Sequence, residues 1–249
     1  RKALDVTQMM YIDFLPAAML EQFYPGLEIT AESRVTAEYA AEMWSRVDAG
    51  ARLSQWTPQG PKHSDDVVVI DSEGNIAALT QSINCVLWGK TAIVVGGISV
   101  GDPGSFQQAA IAATGPGKRL ASPTETGILF KDGHAVLGFA SMGSGLHQRT
   151  FQGLMNFTQY GMTVEEAINA PDFFAPLTDP ATFQSTFRVI AGGFPSDVLV
   201  GTGYGYQEID LANVRFAGEG IWVAISRDPA TGKLRAASHN RNNSAAVAY

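Results

Sequence analysis

His63-Ser64 stands directly ahead of the run Asp66-Val67-Val68-Val69-Ile70-Asp71. A polar linker from Ser54 to Lys62 delivers the chain to that serine. The turn Ser72-Glu73-Gly74-Asn75 then separates the run from a second strand-like stretch, Ile76 to Asn84. Two such runs around a Gly-Asn turn predict a β-hairpin with Ser64 at the mouth of its first strand. If the peptide bond before Ser64 is cut, this serine carries a free α-amine beside its own hydroxyl. Nucleophile and base then belong to one residue. An α-amine titrates at about 7.7–8.0, near where a general base is most useful at neutral pH.

A second chemical candidate is the small-residue loop at Gly143 and Ser144, between a predicted strand and a predicted helix. Backbone N–H groups at such a place can stabilise an oxyanion, and small residues let a carbonyl approach. A plain strand-to-helix turn is the competing reading, and both can hold at once. Asp65 and Asp66 read as a solvated strand entrance, with binding of a cationic group as the alternative. His63, His134, His147 and His239 show no metal-ligand spacing. The stretch around Gly115-Pro116-Gly117-Lys118 lacks the spacing of a phosphate loop.

The elements that must position these residues follow from periodicity. Leu4 to Tyr24 has helical apolar spacing interrupted by Pro16, so two shorter helices are expected. Thr36 to Val47 is an amphipathic helix with Gly50 as its C-terminal cap. Beyond the linker the chain becomes β-rich. Ala92 to Val100 reads as one strand, and Gly127 to Ala140 as a hairpin turned at Lys131-Asp132-Gly133. Leu146 to Tyr160 is helical and stopped by Gly161. Thr163-Val164-Glu165-Glu166 is a capping box that opens a short helix ending before Pro171. Phe187 to Ala191 is a strand, with a turn or short helix near Pro195. A last hairpin runs from Gly220 to Ser238, turned at Asp228 to Gly232. Long hairpins with two central helices predict an α+β layered fold.

With 249 residues the chain can bury a full single-domain core. The formal net charge of −7 and scattered Lys and Arg residues argue against nucleic acid as a partner. A single cysteine, Cys85, rules out an internal disulfide and reads as a buried inert thiol. No stretch is long and apolar enough to span a bilayer as a helix, so no membrane partner is expected. The opening Arg1-Lys2-Ala3-Leu4-Asp5 is neither a signal peptide nor a start methionine, and the chain is expected to begin mid-protein.

The segment HSDDVVVIDSEGNIAALTQSIN resembles the opening of the small subunit in the γ-glutamyltranspeptidase family, whose pattern is TTHxSVVDxxGNAVxxTxTxN. The resemblance continues through Gly96-Gly97-Ile98, GPGKRLASPTETGILFKDG, SMGSG (where the family has SPGGS), YGMTVEEAINAPDF and AASHNRNNSAAVAY. It spans about Arg34 to Tyr249. It implies the four-layer αββα sandwich of N-terminal-nucleophile hydrolases and self-cleavage between His63 and Ser64. Residues 1–63 are then the C-terminal part of a large subunit and 64–249 the small catalytic subunit. Together they form one structural domain, and the family's N-terminal part is absent.

Counting from the shared Gly-Asn turn, Ser64 falls on the family's nucleophilic threonine. Ser82 falls on a supporting threonine and Asn84 on the asparagine beyond it. Ser82 would hydrogen-bond the nucleophile across the hairpin, or else pack as a cross-strand serine. Asn84, on the same strand face by period two, would fix the amine or substrate, or tie down a loop. The family's oxyanion hole falls on Gly143 and Ser144. Ser122 matches the first of two adjacent serines that hold the substrate carboxylate, and Pro123 replaces the second. Asp102 is the only acid in the loop that holds the substrate α-amine in the family, and it is shifted in register.

The resulting expectation is a self-processing amidase or acyltransferase working through an acyl-enzyme on Ser64, without cofactor or metal. The alternatives are an acylase with a non-glutamyl acyl group and an uncleaved relative acting as a binding protein. The expected partners are a small-molecule amide and the remaining large-subunit segment. Homo-oligomerisation is left open. The resemblance points to a periplasmic or secreted enzyme, with the cytoplasm also open.

Overall fold

The computed structural model describes residues 1–10, 12, 20–22, 24–27, 29–30, 32–50, 64–82, 92–100, 108–118, 124–143, 145–179, 181–182, 184–210, 212, 220–239 and 244–247. In chain order the elements are α1 (Lys2–Met9), α2 (Ala37–Asp48), β1 (Ser64–Ile70), β2 (Ile76–Ser82), β3 (Ile93–Val95), β4 (Ile98–Val100), α3 (Gln108–Thr114), β5 (Glu125–Lys131) and β6 (His134–Gly143). They continue with α4 (Leu146–Thr158), α5 (Val164–Asn169), β7 (Phe173–Thr178), β8 (Ser185–Ile190), α6 (Ser196–Gly201), β9 (Gly205–Ile209), β10 (Gly220–Arg227) and β11 (Leu234–Ala237). Contacts divide the chain into two compact units.

The first unit joins 1–58, 116–121 and 173–213. Its sheet has the order β7-β8-β9, with β7 antiparallel and β9 parallel to β8. The parallel pair is bridged by α6, as a parallel connection requires a crossover. Two apolar clusters hold this unit. One is Met9, Ile12, Tyr24, Val47 and Ala175. The other is Leu4, Phe187, Val189, Leu199 and Tyr204. The Tyr204 hydroxyl donates to the buried Asp5 carboxylate, fastening α1 beside this second cluster. Thr36 caps α2 by accepting from the Tyr39 N–H, 3.1 Å away. Gly50, at φ +89, follows the helix end with its N–H on the Val47 carbonyl, the left-handed stop a glycine supplies.

The second unit joins 59–115, 122–172 and 214–249. Its centre is the antiparallel sheet β11-β10-β6-β5. Helices α4 and α5 cover one face, and the β1–β2 hairpin lies on the other. The helix side buries Leu137, Val164, Ala167, Ile168, Trp222 and Ala224. Gly153 lets α4 approach, because a Cβ there would fall 2.8 Å from the Trp222 ring. The Thr163–Glu166 capping box is complete in both directions. Fully buried Arg149 reaches the Asp172 carboxylate at 3.4 Å and the Ile168 carbonyl, tying α4 to the end of α5.

The fold is α+β, as expected; helix α3 and strands β7 and β9 were not expected, and the stretch Ala92 to Val100 differs in kind. The single strand is instead two short antiparallel strands, β3 and β4. Gly96 and Gly97 sit at φ +58 and +81 between them. Two adjacent residues with positive φ make a tight hairpin turn, so the glycines break the branched run.

Candidate active site

Ser64 is the first residue of β1, and its partner across the hairpin is Ser82, the last residue of β2. Burial alternates along both strands. Ser64, Asp66, Val68 and Ile70 share the inward face with Ile76, Ala78, Thr80 and Ser82. Val67, Val69 and Leu79 point outward and are exposed. The inward face is thus split: four apolar side chains near the turn, four polar ones at the open end.

Contacts with the sheet orient this hairpin. Gly138 of β6 lies under Val68 and Ile76, where a Cβ would come within 2.8 Å of the Val68 Cγ1. The hairpin turn lies against β10, since a Cβ on Gly74 would fall 2.9 Å from the Arg227 Nε. Ser226 pairs with Leu137, so Arg227 marks the early part of β6. The turn therefore lies over that end of β6, and the open end carrying Ser64 and Ser82 runs toward Gly143.

Gly143 ends β6 at φ +90, a conformation strained for any side chain. Its pairing partner Gly220 is needed for space: a Cβ there would fall 2.7 Å from the Arg149 Cβ and crowd the Gly145 backbone. Two further side chains hold the loop. The Ser141 hydroxyl lies 2.8 Å from the Ile221 carbonyl and 3.3 Å from the Leu146 carbonyl. His147, in the first turn of α4, contacts Glu125 of β5 through Nδ1. Gly145 begins α4 with no side-chain cap. These supports were missed in the sequence because they join residues far apart along the chain.

Asp65 and Asp66 separate sharply. Asp65 is exposed, as a solvated entrance would be. Asp66 is not: it turns inward and accepts a hydrogen bond from the Thr80 hydroxyl at 2.6 Å. Its Oδ2 is buried with no hydrogen-bond partner among the described residues. Burial pushes the Asp66 carboxyl up to about 6; the Thr80 bond opposes this and the Asp65 charge adds to it. The missed signal was alternation, which places Asp66 on the face of Ser64.

His63, Asn84, Asp102, Ser122 and Ser144 lie outside the described residues, as do Cys85 and Pro123. The structure thus brings Ser64 and Ser82 into register and sets Gly143 at the same end of the two β layers. Among the described residues no group of His, Cys, Asp or Glu could hold a metal ion. No helix among them is long and apolar enough to cross a membrane.

The candidate site is thus a hairpin led by Ser64 and stacked on a helix-covered antiparallel sheet. The sequence pattern of the gamma-glutamyltranspeptidase family matches residues 17–249, and the chain belongs to that family, within the N-terminal-nucleophile hydrolases. The glutathione hydrolase proenzyme of Pseudomonas sp. (strain A14) is 27% identical over 158 residues, 55% of this chain. The chain spans 27% of that relative's length. Among solved structures, the cephalosporin acylase of Bacillus halodurans superposes with a TM-score of 0.64 at 21% identity. That match covers 97% of this chain and 43% of the acylase chain. The γ-glutamyltranspeptidase of Pseudomonas nitroreducens complexed with L-DON gives a TM-score of 0.54 at 21% identity. It covers 74% of this chain and 98% of that one.

Proposed function

We propose that the protein is a self-processing amidase or acyltransferase with Ser64 as its nucleophile. The Ser64 hydroxyl attacks the His63 carbonyl and displaces its own nitrogen, giving an ester. Water hydrolyses the ester to a His63 carboxylate and a free Ser64 amine. In turnover the hydroxyl attacks a substrate amide while the amine takes its proton. The amine returns that proton to the leaving nitrogen, and water or an acceptor amine releases the acyl group. Backbone N–H groups of Gly143 and Ser144 bind the oxyanion. Ser82 and Asn84 position the nucleophile, and Ser122 and Asp102 bind substrate. The polypeptides on either side of the His63–Ser64 bond form one structural domain.

The observation that carries this reading is the Ser64–Ser82 register at the hairpin end that runs toward Gly143. Family membership and the proenzyme name of the Pseudomonas relative support it. We also place this chain in the four-layer αββα sandwich: exposed Val67, Val69 and Leu79 give the outer hairpin face the apolar character a second helical layer would cover.

Pro123 in place of a carboxylate-binding serine favours an acyl group other than γ-glutamyl, and the superposition with a cephalosporin acylase agrees with that second reading. The test compares kcat/KM for a γ-glutamyl anilide and the same anilide with a neutral acyl group, with mass-spectrometric trapping of the acyl-enzyme. Preference for the neutral acyl group supports the acylase reading. Strong preference for the γ-glutamyl compound, lost in Asp102→Asn, supports γ-glutamyl transfer. No acyl adduct from either would sink both.

A further inference from the structure

We propose that Asp66 is a positioning residue for the proposed nucleophile, setting the charge of its second carboxylate oxygen near the Ser64 amine while Thr80 holds the first. This rests on the reading of Ser64 as an N-terminal nucleophile. Three observations point to it. Asp66 lies two residues from Ser64 on one strand face, about 6–7 Å along the strand. Its Oδ1 is committed to the Thr80 hydroxyl on the facing strand. Its Oδ2 is buried without a partner among the described residues, a condition that costs stability until a donor arrives.

Cleavage creates such a donor. Before it, Ser64 offers one amide N–H; afterwards it offers an amine or ammonium at the same strand end. In turnover the hydroxyl proton moves to the amine and then to the leaving nitrogen. Asp66 gains and loses no proton; its charge stabilises the ammonium as it forms, as a carboxylate supports a catalytic imidazole. The surroundings leave it that task. β2 carries no ionisable side chain, β6 only His134 and β10 only Arg227, both away from the open end. On β5, Glu125 contacts His147 and Lys131 sits at the β5–β6 turn. Asp65, exposed on the outward face, is the neighbouring charge.

The amine and carboxylate then titrate as a pair, and the variants shift the acid limb of kcat/KM in opposite directions. Asp66→Asn keeps an acceptor for Thr80 but removes the charge. The limb moves to lower pH by at least about half a unit, because the amine loses the anion that favoured its ammonium. At its plateau kcat falls at least about tenfold and KM changes by less than about twofold. Thr80→Val withdraws the hydrogen bond that favours the carboxylate, so the limb moves to higher pH. The measurement is pH-rate profiles of both anilides for wild type and both variants, after fragment masses establish processing. A cleaved, active wild type whose Asp66→Asn variant keeps both kcat and limb overturns this inference alone. An uncleaved wild type without amide turnover overturns the proposed function, and this inference with it.

Discussion

Arg149 and Asp66 are both at least half-buried ionisable groups of the second unit, and their surroundings are built differently. Arg149 is almost wholly inaccessible, with a carboxylate and a carbonyl as acceptors. Asp66 is only half-buried, yet its one hydrogen-bond partner among the described residues is a neutral hydroxyl. A buried cation with an anion beside it is held in one protonation state and one geometry. A carboxylate with a hydroxyl and no cation keeps a raised proton affinity and room for another donor. The first arrangement fastens helices. The second, two residues from Ser64, suits the proton movement proposed there.

Breaking the paired site has the largest expected effect on stability. Arg149→Met removes the cation beside buried Asp172, which costs about 3–5 kcal/mol and is read as a lower denaturant midpoint. A midpoint shift of only a few tenths of that would mean the pair is not what holds α4 to α5.

The Gly143 loop sharpens the functional side. Gly143→Val forces a branched side chain into positive φ and displaces the proposed oxyanion donors. Losing one such donor costs about 2.7–4 kcal/mol of transition-state stabilisation, so turnover should fall at least about a hundredfold while analogue binding changes less. Unaltered turnover removes Gly143 from the mechanism.

At Asp66 the effect is smaller and opposite in sign to that at Arg149. Its folded carboxyl is raised to about 6 from 3.8, so the native state binds the proton more tightly than the unfolded chain. The ionised group therefore disfavours the fold above about pH 6, and this penalty fades as pH falls toward about 4. In a chain kept uncleaved by Ser64→Ala, where no ammonium faces the carboxylate, adding Asp66→Asn should raise the melting temperature at pH 7 and give little or no gain at pH 4. An equal gain at both would show that the carboxyl's charge is irrelevant. The smallest effect belongs to neither site. Thr163→Ala removes the α5 cap and costs about 1 kcal/mol, with no change in the pH-rate profile.

Much of this architecture is legible in the chain because hairpins and caps are local. The Lys131-Asp132-Gly133 turn between β5 and β6, the Gly-Asn turn after β1 and the Thr163–Glu166 box all act within a few residues. Asp66 escaped because Val67-Val68-Val69-Ile70 is apolar on both faces, and such a run does not say which way it points. Only the glycine at position 138, under Val68, settles the inward face. The β7-β8-β9 sheet was legible only at Phe187 to Ala191, since its pairings join distant stretches. The supports of the Gly143 loop escaped for the same reason: Glu125 meets His147, and Ser141 meets Ile221, only after folding.

The central claim is that Ser64 becomes an N-terminus, and the mass and N-terminal sequence of the mature protein test it most directly. Wild type should yield a fragment beginning Ser-Asp-Asp-Val, and Ser64→Ala should remain intact at the His63 bond. A Ser64→Ala chain processed at that bond as fully as wild type would contradict the account.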